Sequence, residues 1–325
     1  MEMHGHPAIF LSGTAPNSLG SSLLGGLRKR YSESPIVAFD NQTNPILNEL
    51  GKARLIELDL NPLNPNNSYE RLAHDLHSGI LRTQTELGFP GVGIAILAAG
   101  VYDSGPLVET SIEARKRLVG GNVCGKIELL NSVLSVNHML KFNSSKELTI
   151  VDVGSLHGLA ATGGRSIYAA TKAFGLNLCL SLLRGLEVNR LIYLAPGPID
   201  THMLHRNHWV SKENGSPEFF DYVRTREANL YEDVFIRCDD AAFADVTSSS
   251  QMDNIGLAEV FARYKKRRAE QFNDGVGILR ATDVADRIVE VLADNKSYSD
   301  GVYILTAPSG EMQMKRLSFT EVIRH

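Results

Sequence analysis

Only three of the 325 residues are cysteine: Cys124, Cys179 and Cys238. Their odd number and lack of metal-ligand spacing exclude a disulfide scaffold and a cysteine-held metal, so reduced thiols in a cytoplasmic setting are expected. Tryptophan occurs once, at Trp209. Neither sign of charge dominates. The chain has 33 Lys and Arg against 37 Asp and Glu, a formal net charge of −4, which gives no electrostatic basis for binding nucleic acid or an anionic membrane. No run approaches the ~18 apolar residues of a membrane span. The opening MEMHGHPAIFLSG has neither a positive region nor a long apolar core, so no signal peptide is expected. Repeats and low-complexity tracts are missing too. With 43% apolar and 22% charged residues, the composition is that of a globular protein with material for a large core. A single domain spanning 1–325 is expected, because α/β folds often run to this length as one unit.

Short apolar runs alternate with helical stretches. The first strand is expected at 8–11, followed by the loop Gly13-Thr14-Ala15-Pro16-Asn17-Ser18-Leu19-Gly20 and a helix at 21–30. A strand, a glycine-containing loop and a helix set backbone N–H groups and a helix N-terminus against a pyrophosphate. The second strand, 35–40, ends on Asp40, twenty residues after Gly20. An acid there can accept hydrogen bonds from the adenosine ribose and repel a 2′-phosphate, favouring NAD over NADP. Further strands are expected at 54–59, with Asp59 at the tip, and at 91–100, ending in Ala98-Ala99-Gly100, with a helix at 69–87 between them. Such alternation predicts parallel strands with helices on both faces. Residues 111–140 read as one long helix, interrupted at Gly120-Gly121 and carrying Asn122, whose amide is out of place in a helix without a specific partner.

The stretch 153–172, VGSLHGLAATGGRSIYAATK, carries the chemistry. A fifth strand, 148–153, delivers Ser155, and a helix beginning at Ser166 carries Tyr168 and Lys172. Residues four apart share a helix face, so the phenol and the ammonium point the same way. A nearby cation favours the phenolate and lowers its pKa from ~10. That makes a proton donor and acceptor usable near neutral pH. A sixth strand at 190–194 leads to the turn-rich Pro196-Gly197-Pro198-Ile199-Asp200-Thr201, at the strand end where open α/β sheets hold ligands. A helix is expected at 281–295 and a last strand at 301–305. Before them, helices are read at 217–230 and 255–272 and a loop at 239–250. The basic run Lys265-Lys266-Arg267-Arg268 reads as a solvated helix face. His202, His205 and His208 lack the supporting acids or cysteines of a metal site, so no metal is expected.

Taken in order, these elements resemble the short-chain dehydrogenase/reductase family over residues 8–310, apart from the region after Thr201. The spacing Ser155–Tyr168–Lys172 with Asn122 upstream is the most specific part. The resemblance implies a doubly wound, Rossmann-type α/β fold with a mostly parallel seven-stranded sheet, and an oxidoreductase moving a hydride between NAD(H) and an alcohol or carbonyl. It implies that Tyr168 is the general acid/base, Lys172 lowers its pKa and holds the nicotinamide ribose, Ser155 orients the substrate oxygen, and Asn122 supports a water beside Lys172. For the cofactor it implies Gly13, Ser18, Leu19 and Gly20 at the pyrophosphate, Asp40 at the ribose, and Asp59 near the adenine. Ala99 and Gly100 would lie beside it, and Pro196, Gly197 and Thr201 near the nicotinamide. A homodimer or homotetramer built partly from the 111–140 and 168–186 helices and a small-molecule substrate follow from the same resemblance. The chain departs from the family pattern in four places. The glycine loop is one residue longer with Ser18 for its middle glycine, Ala98 replaces an Asn, Gly154 replaces a frequent Ser, and 201–277 reads as an enlarged substrate lid. The altered loop motivates the alternative of a non-catalytic NAD(P)-binding sensor or scaffold; an epimerase or dehydratase is the alternative within enzymes.

Overall fold

A computed structural model describes residues 6–103, 107–108, 110–159, 165–197, 199–201, 279–294, 297–306 and 311–317. Its strands are β1 (Ala8–Ser12), β2 (Ile36–Asp40), β3 (Ala53–Glu57), β4 (Val92–Leu97), β5 (Thr149–Val153), β6 (Arg190–Pro196), β7 (Ile199–Asp200), β8 (Leu279–Arg280), β9 (Gly301–Thr306) and β10 (Gln313–Leu317). Eight form one sheet in the order β3-β2-β1-β4-β5-β6-β9-β10, parallel throughout except for β10, which runs antiparallel to β9. β7 and β8 form a separate parallel pair.

Alternation along each strand assigns the two faces. Ala8 and Phe10 of β1 enter one core with Val37, Phe39, Ile150 and Tyr193, while Ile9 and Leu11 enter the other with Ile36, Val151, Ile192 and Leu194. Because both faces are covered, the strands read as continuous apolar runs. The first core is closed by α3 (Tyr69–Leu87), α5 (Gly125–Met139) and α7 (Ser166–Arg184), and the second by α1 (Leu19–Arg30) and α8 (Ala281–Ala293). The short α2 (Ile46–Glu49) and α6 (Ser144–Glu147) and the helix α4 (Ile112–Val119) complete the described elements of this kind.

Several expectations are corrected. The sheet has eight strands rather than seven, because the QMKRL segment pairs along the edge of β9 with its charged side chains outward, where no apolar alternation marks it. α1 begins at Leu19 rather than 21, since Ser18 caps it. The 111–140 helix is α4, a π-helical turn over Gly120–Cys124, and α5. Gly120 and Gly125 are glycines because a Cβ on them would lie 1.6 Å from Asn61 Oδ1 and 2.0 Å from the Leu60 carbonyl oxygen. β6 reaches Pro196, and the turn-rich segment after it supplies β7. By length and composition α7 does meet the test of a membrane-crossing helix. Here it is apolar because Ala169, Gly175, Leu176, Cys179 and Leu180 are buried against the sheet. The lid expected at 201–277, with Trp209, Cys238, the three histidines and the basic run, lies beyond Thr201 and outside the described residues.

Candidate active site

Every strand of the parallel set ends on the same edge, and the residues singled out in the sequence collect there. This is the edge where open α/β sheets bind ligands, and β1 and β4 flank the point where strand order reverses. Gly13 follows β1 with φ of 79°, and a Cβ on it would stand 2.6 Å from the Ala99 backbone nitrogen. A Cβ on Gly20 would stand 2.2 Å from the Gly13 carbonyl oxygen. Ser18, in place of a glycine, closes the loop: its hydroxyl donates to the Gly13 carbonyl at 2.8 Å and accepts from the Ser21 N–H at 3.0 Å as the N-cap of α1. Leu19 is buried at the first position of the helix. Thr14 is fully buried, and its hydroxyl has no hydrogen-bond partner among the described residues. Asn44, which carries no motif, ties the loop from the β2 side by donating to the Thr14 carbonyl (2.7 Å) and to Ser21 Oγ (3.0 Å).

Asp40 is buried at the end of β2 and accepts from the Ala15 N–H at 2.7 Å and the Gln42 N–H at 3.1 Å. Burial pushes its carboxyl up, and these backbone N–H groups pull it back down. Oδ2 thus holds the glycine loop through Ala15, and Oδ1 holds the turn after β2 through Gln42. Asp59 organises its own loop, accepting from the Asn61 N–H (2.9 Å) and from Asn64 Nδ2 (2.7 Å). Ala99 donates its N–H to Ser12 Oγ at 3.1 Å. Gly100 lies against the next group of residues, where a Cβ would be 3.2 Å from both Asn122 Oδ1 and Lys172 Nζ. Pro196 pairs with Leu305, and Gly197 N–H donates to the Leu305 carbonyl, placing both at the end of β6. Thr201 follows β7, its hydroxyl 3.4 Å from the Ile199 carbonyl.

Tyr168 and Lys172 share one face of α7, with Lys172 Nζ 5.7 Å from the Tyr168 ring centroid. Lys172 donates to the Val153 carbonyl at 3.2 Å. Ser155, just past β5, is buried and accepts from the His157 N–H at 3.2 Å. Asn122 sits in the π-helical turn and is fully used. It exchanges two 2.8 Å hydrogen bonds with the Val101 backbone and donates to Thr171 Oγ1 at 3.0 Å. Burial pushes the Tyr168 phenol well above its ordinary value, while the hydrogen-bonded Ser155 hydroxyl and the Arg165 charge pull it down. Lys172 is itself pulled down to about 8, by burial first and then by Lys126, with Asp152 opposing. Lys126 and Asp152 form a buried ion pair at 2.6 Å directly behind α7.

Three further side chains surround Tyr168. The Tyr102 ring meets it edge-on at 4.8 Å between centroids, and the His157 ring lies at 5.9 Å. Arg165 donates from Nε to the Tyr102 hydroxyl at 2.6 Å and places Nη1 3.5 Å from His157 Nε2. Burial, and then the Arg165 charge, pulls His157 down to about 4, so its ring is neutral near pH 7. These residues come from three separate segments, and no spacing in the sequence joins them.

The model of the short chain dehydrogenases matches residues 81–210, the span from α3 to just past β7. Over that span the chain is similar to the short chain dehydrogenases. The meso-2,3-butanediol dehydrogenase of Serratia marcescens is 27% identical over 159 residues, which cover 47% of this chain and 59% of that protein. The chain spans 56–59% of the length of the curated relatives it matches. Two solved structures of the same fold are a 3-ketoacyl-(acyl-carrier-protein) reductase from Brucella melitensis complexed with NADH and an alcohol dehydrogenase from Thermococcus sibiricus complexed with 5-hydroxy-NADP. The first has a TM-score of 0.59 and 15% identity, the second 0.60 and 13%; each comparison covers 94% of this chain and 98% of the other.

The residues present fit a dinucleotide. Gly13 and Gly20 let the loop close backbone to backbone against Ala99 and on itself, a tight cradle that leads into the N-terminus of α1.

Proposed function

We propose that this protein is a nicotinamide-dependent oxidoreductase interconverting an alcohol and a carbonyl compound, with NAD(H) preferred. The observation that carries the reading is the convergence of Ser155, Tyr168 and Lys172 beside Gly100, at the strand edge that also holds the glycine loop. The bound nicotinamide would supply or accept the hydride. The chain's own part is to position the substrate and move the proton. The Ser155 hydroxyl holds the substrate oxygen, and Tyr168 Oη gives its proton to that oxygen in reduction or takes it back in oxidation. Lys172, fixed by the Val153 carbonyl, keeps positive charge near the phenol and faces the place of the nicotinamide ribose. Preference for NAD is supported by Asp40, whose carboxylate at the loop would repel a 2′-phosphate.

Tyr168→Phe tests the reading. The variant should lose at least ~100-fold in turnover, the scale of one positioned proton donor, while NADH still binds in a calorimetric titration. Turnover equal to wild type would refute it.

A further inference from the structure

The wall of the site beside Tyr168 carries the Arg165 charge, and among the described residues no acid pairs with it. Arg165 is the N-cap of α7, and the first turn of that helix contains no acidic residue. A cation at the positive end of a helix is electrostatically misplaced, so folding alone does not favour it there. Among the described residues no carboxylate lies within ion-pair distance of Arg165; the nearby Asp103 is paired with Arg117. Instead two neutral neighbours hold the guanidinium in place: the Tyr102 hydroxyl at Nε, and His157 Nε2 near Nη1. It also lies over the Tyr102 ring, 5.9 Å from the centroid. Of its five N–H donors, two have these neighbours, leaving the rest of the fork for a planar acceptor. The Tyr102 ring that braces Arg165 is the one packed edge-on against Tyr168, so the fork and the proton donor border one space.

We infer that Arg165, braced by Tyr102 and His157, is a carboxylate-binding subsite and that the substrate is a small 2- or 3-oxo or hydroxy acid. Arg165 sits one helical turn before Tyr168. A carboxylate on its fork therefore leaves the neighbouring carbonyl facing Tyr168 and Ser155. This inference rests on the dehydrogenase reading for the reaction, but the binding it describes stands separately.

The test compares 2-oxobutanoate and 3-oxobutanoate with their methyl esters on the full chain loaded with NADH. Calorimetry measures binding, and NADH absorbance measures turnover. Wild type is expected to bind at least one acid more tightly than its ester. R165Q should weaken acid binding about 30-fold, as loss of a charged hydrogen-bonded pair does, and R165K should fall between, since an ammonium cannot offer the fork. If R165Q does not fold, R165K carries the comparison alone, with a several-fold drop in acid binding expected against an unchanged ester. Y168F should bind the acid as wild type does and fail to reduce it. Binding of neither acid, or equal weakening of acid and ester by the Arg165 variants, overturns the subsite. Retained turnover in Y168F with Arg165-dependent acid binding would overturn the reaction and leave the subsite standing.

Discussion

Gly154 and Tyr193 are a matched pair. A Cβ on Gly154 would lie 2.0 Å from Tyr193 Cζ, and the Tyr193 hydroxyl reaches past it to the Lys172 carbonyl at 3.1 Å. The departure at Gly154 from the family's frequent serine is thus set by an aromatic ring delivered from β6, which no local reading of the sequence finds. The Lys126–Asp152 pair is similar. Its two residues lie on α5 and β5, almost fully buried, and Gly175 of α7 leaves room for both. Removing one partner strands the other in a place without water. Lys126→Met is expected to cost about 3–5 kcal/mol by urea unfolding, with most of the loss recovered in the K126M/D152L double variant. Equal losses in the single and the double variants would show that the ion pair is not what matters at this position. The catalytic candidates themselves were legible because Tyr168 and Lys172 are neighbours on one helix. Arg165, Tyr102 and His157 were not, because what joins them is tertiary contact.

Among the elements, those closed by local signals read correctly. The α3 helix runs over the expected 69–87 because Ser68 caps its start and Gly88, at φ of 68°, ends it. The α1 helix begins earlier than read because Ser18 serves both as its cap and as the latch on the Gly13 carbonyl. Ser18→Ala should therefore cost about 1 kcal/mol in thermal stability, the usual value of a lost cap. It should also weaken NADH binding, measured by titration, because the same hydroxyl holds the cradle closed. A stability loss with unchanged NADH affinity would separate the cap from the cradle. The π-helical turn was visible only as a suspicion at Gly120-Gly121. Its cause, the approach of Asn61 and Leu60 from the loop after β3, lies about sixty residues away in the chain. The edge strand β10 gave no signal, since an outward-facing strand of Gln, Met, Lys, Arg and Leu lacks alternation.

At the scale of the whole molecule, the parallel direction of the strands from β3 to β6 was implied by the alternation of strand and helix, while their order, which places the site at the reversal between β1 and β4, came from the structure. The β7–β8 pair was not legible, since its two short strands lie on either side of residues 202–278. Ile199 is registered against Leu279 and Asp200 against Arg280, so the backbone departs from the sheet and rejoins it at adjacent positions. A segment with both ends pinned side by side is a cassette. Closing a chain of its length costs only slightly more than closing a shorter one. Replacing 202–278 by a flexible linker of about a dozen residues, enough to join parallel strands, should leave a protein that melts in one cooperative transition; an aggregated or non-cooperative product would mean that the frame depends on the cassette. If the frame stands alone, natural selection could vary this segment as freely as an engineer could, with the eight-stranded frame held constant.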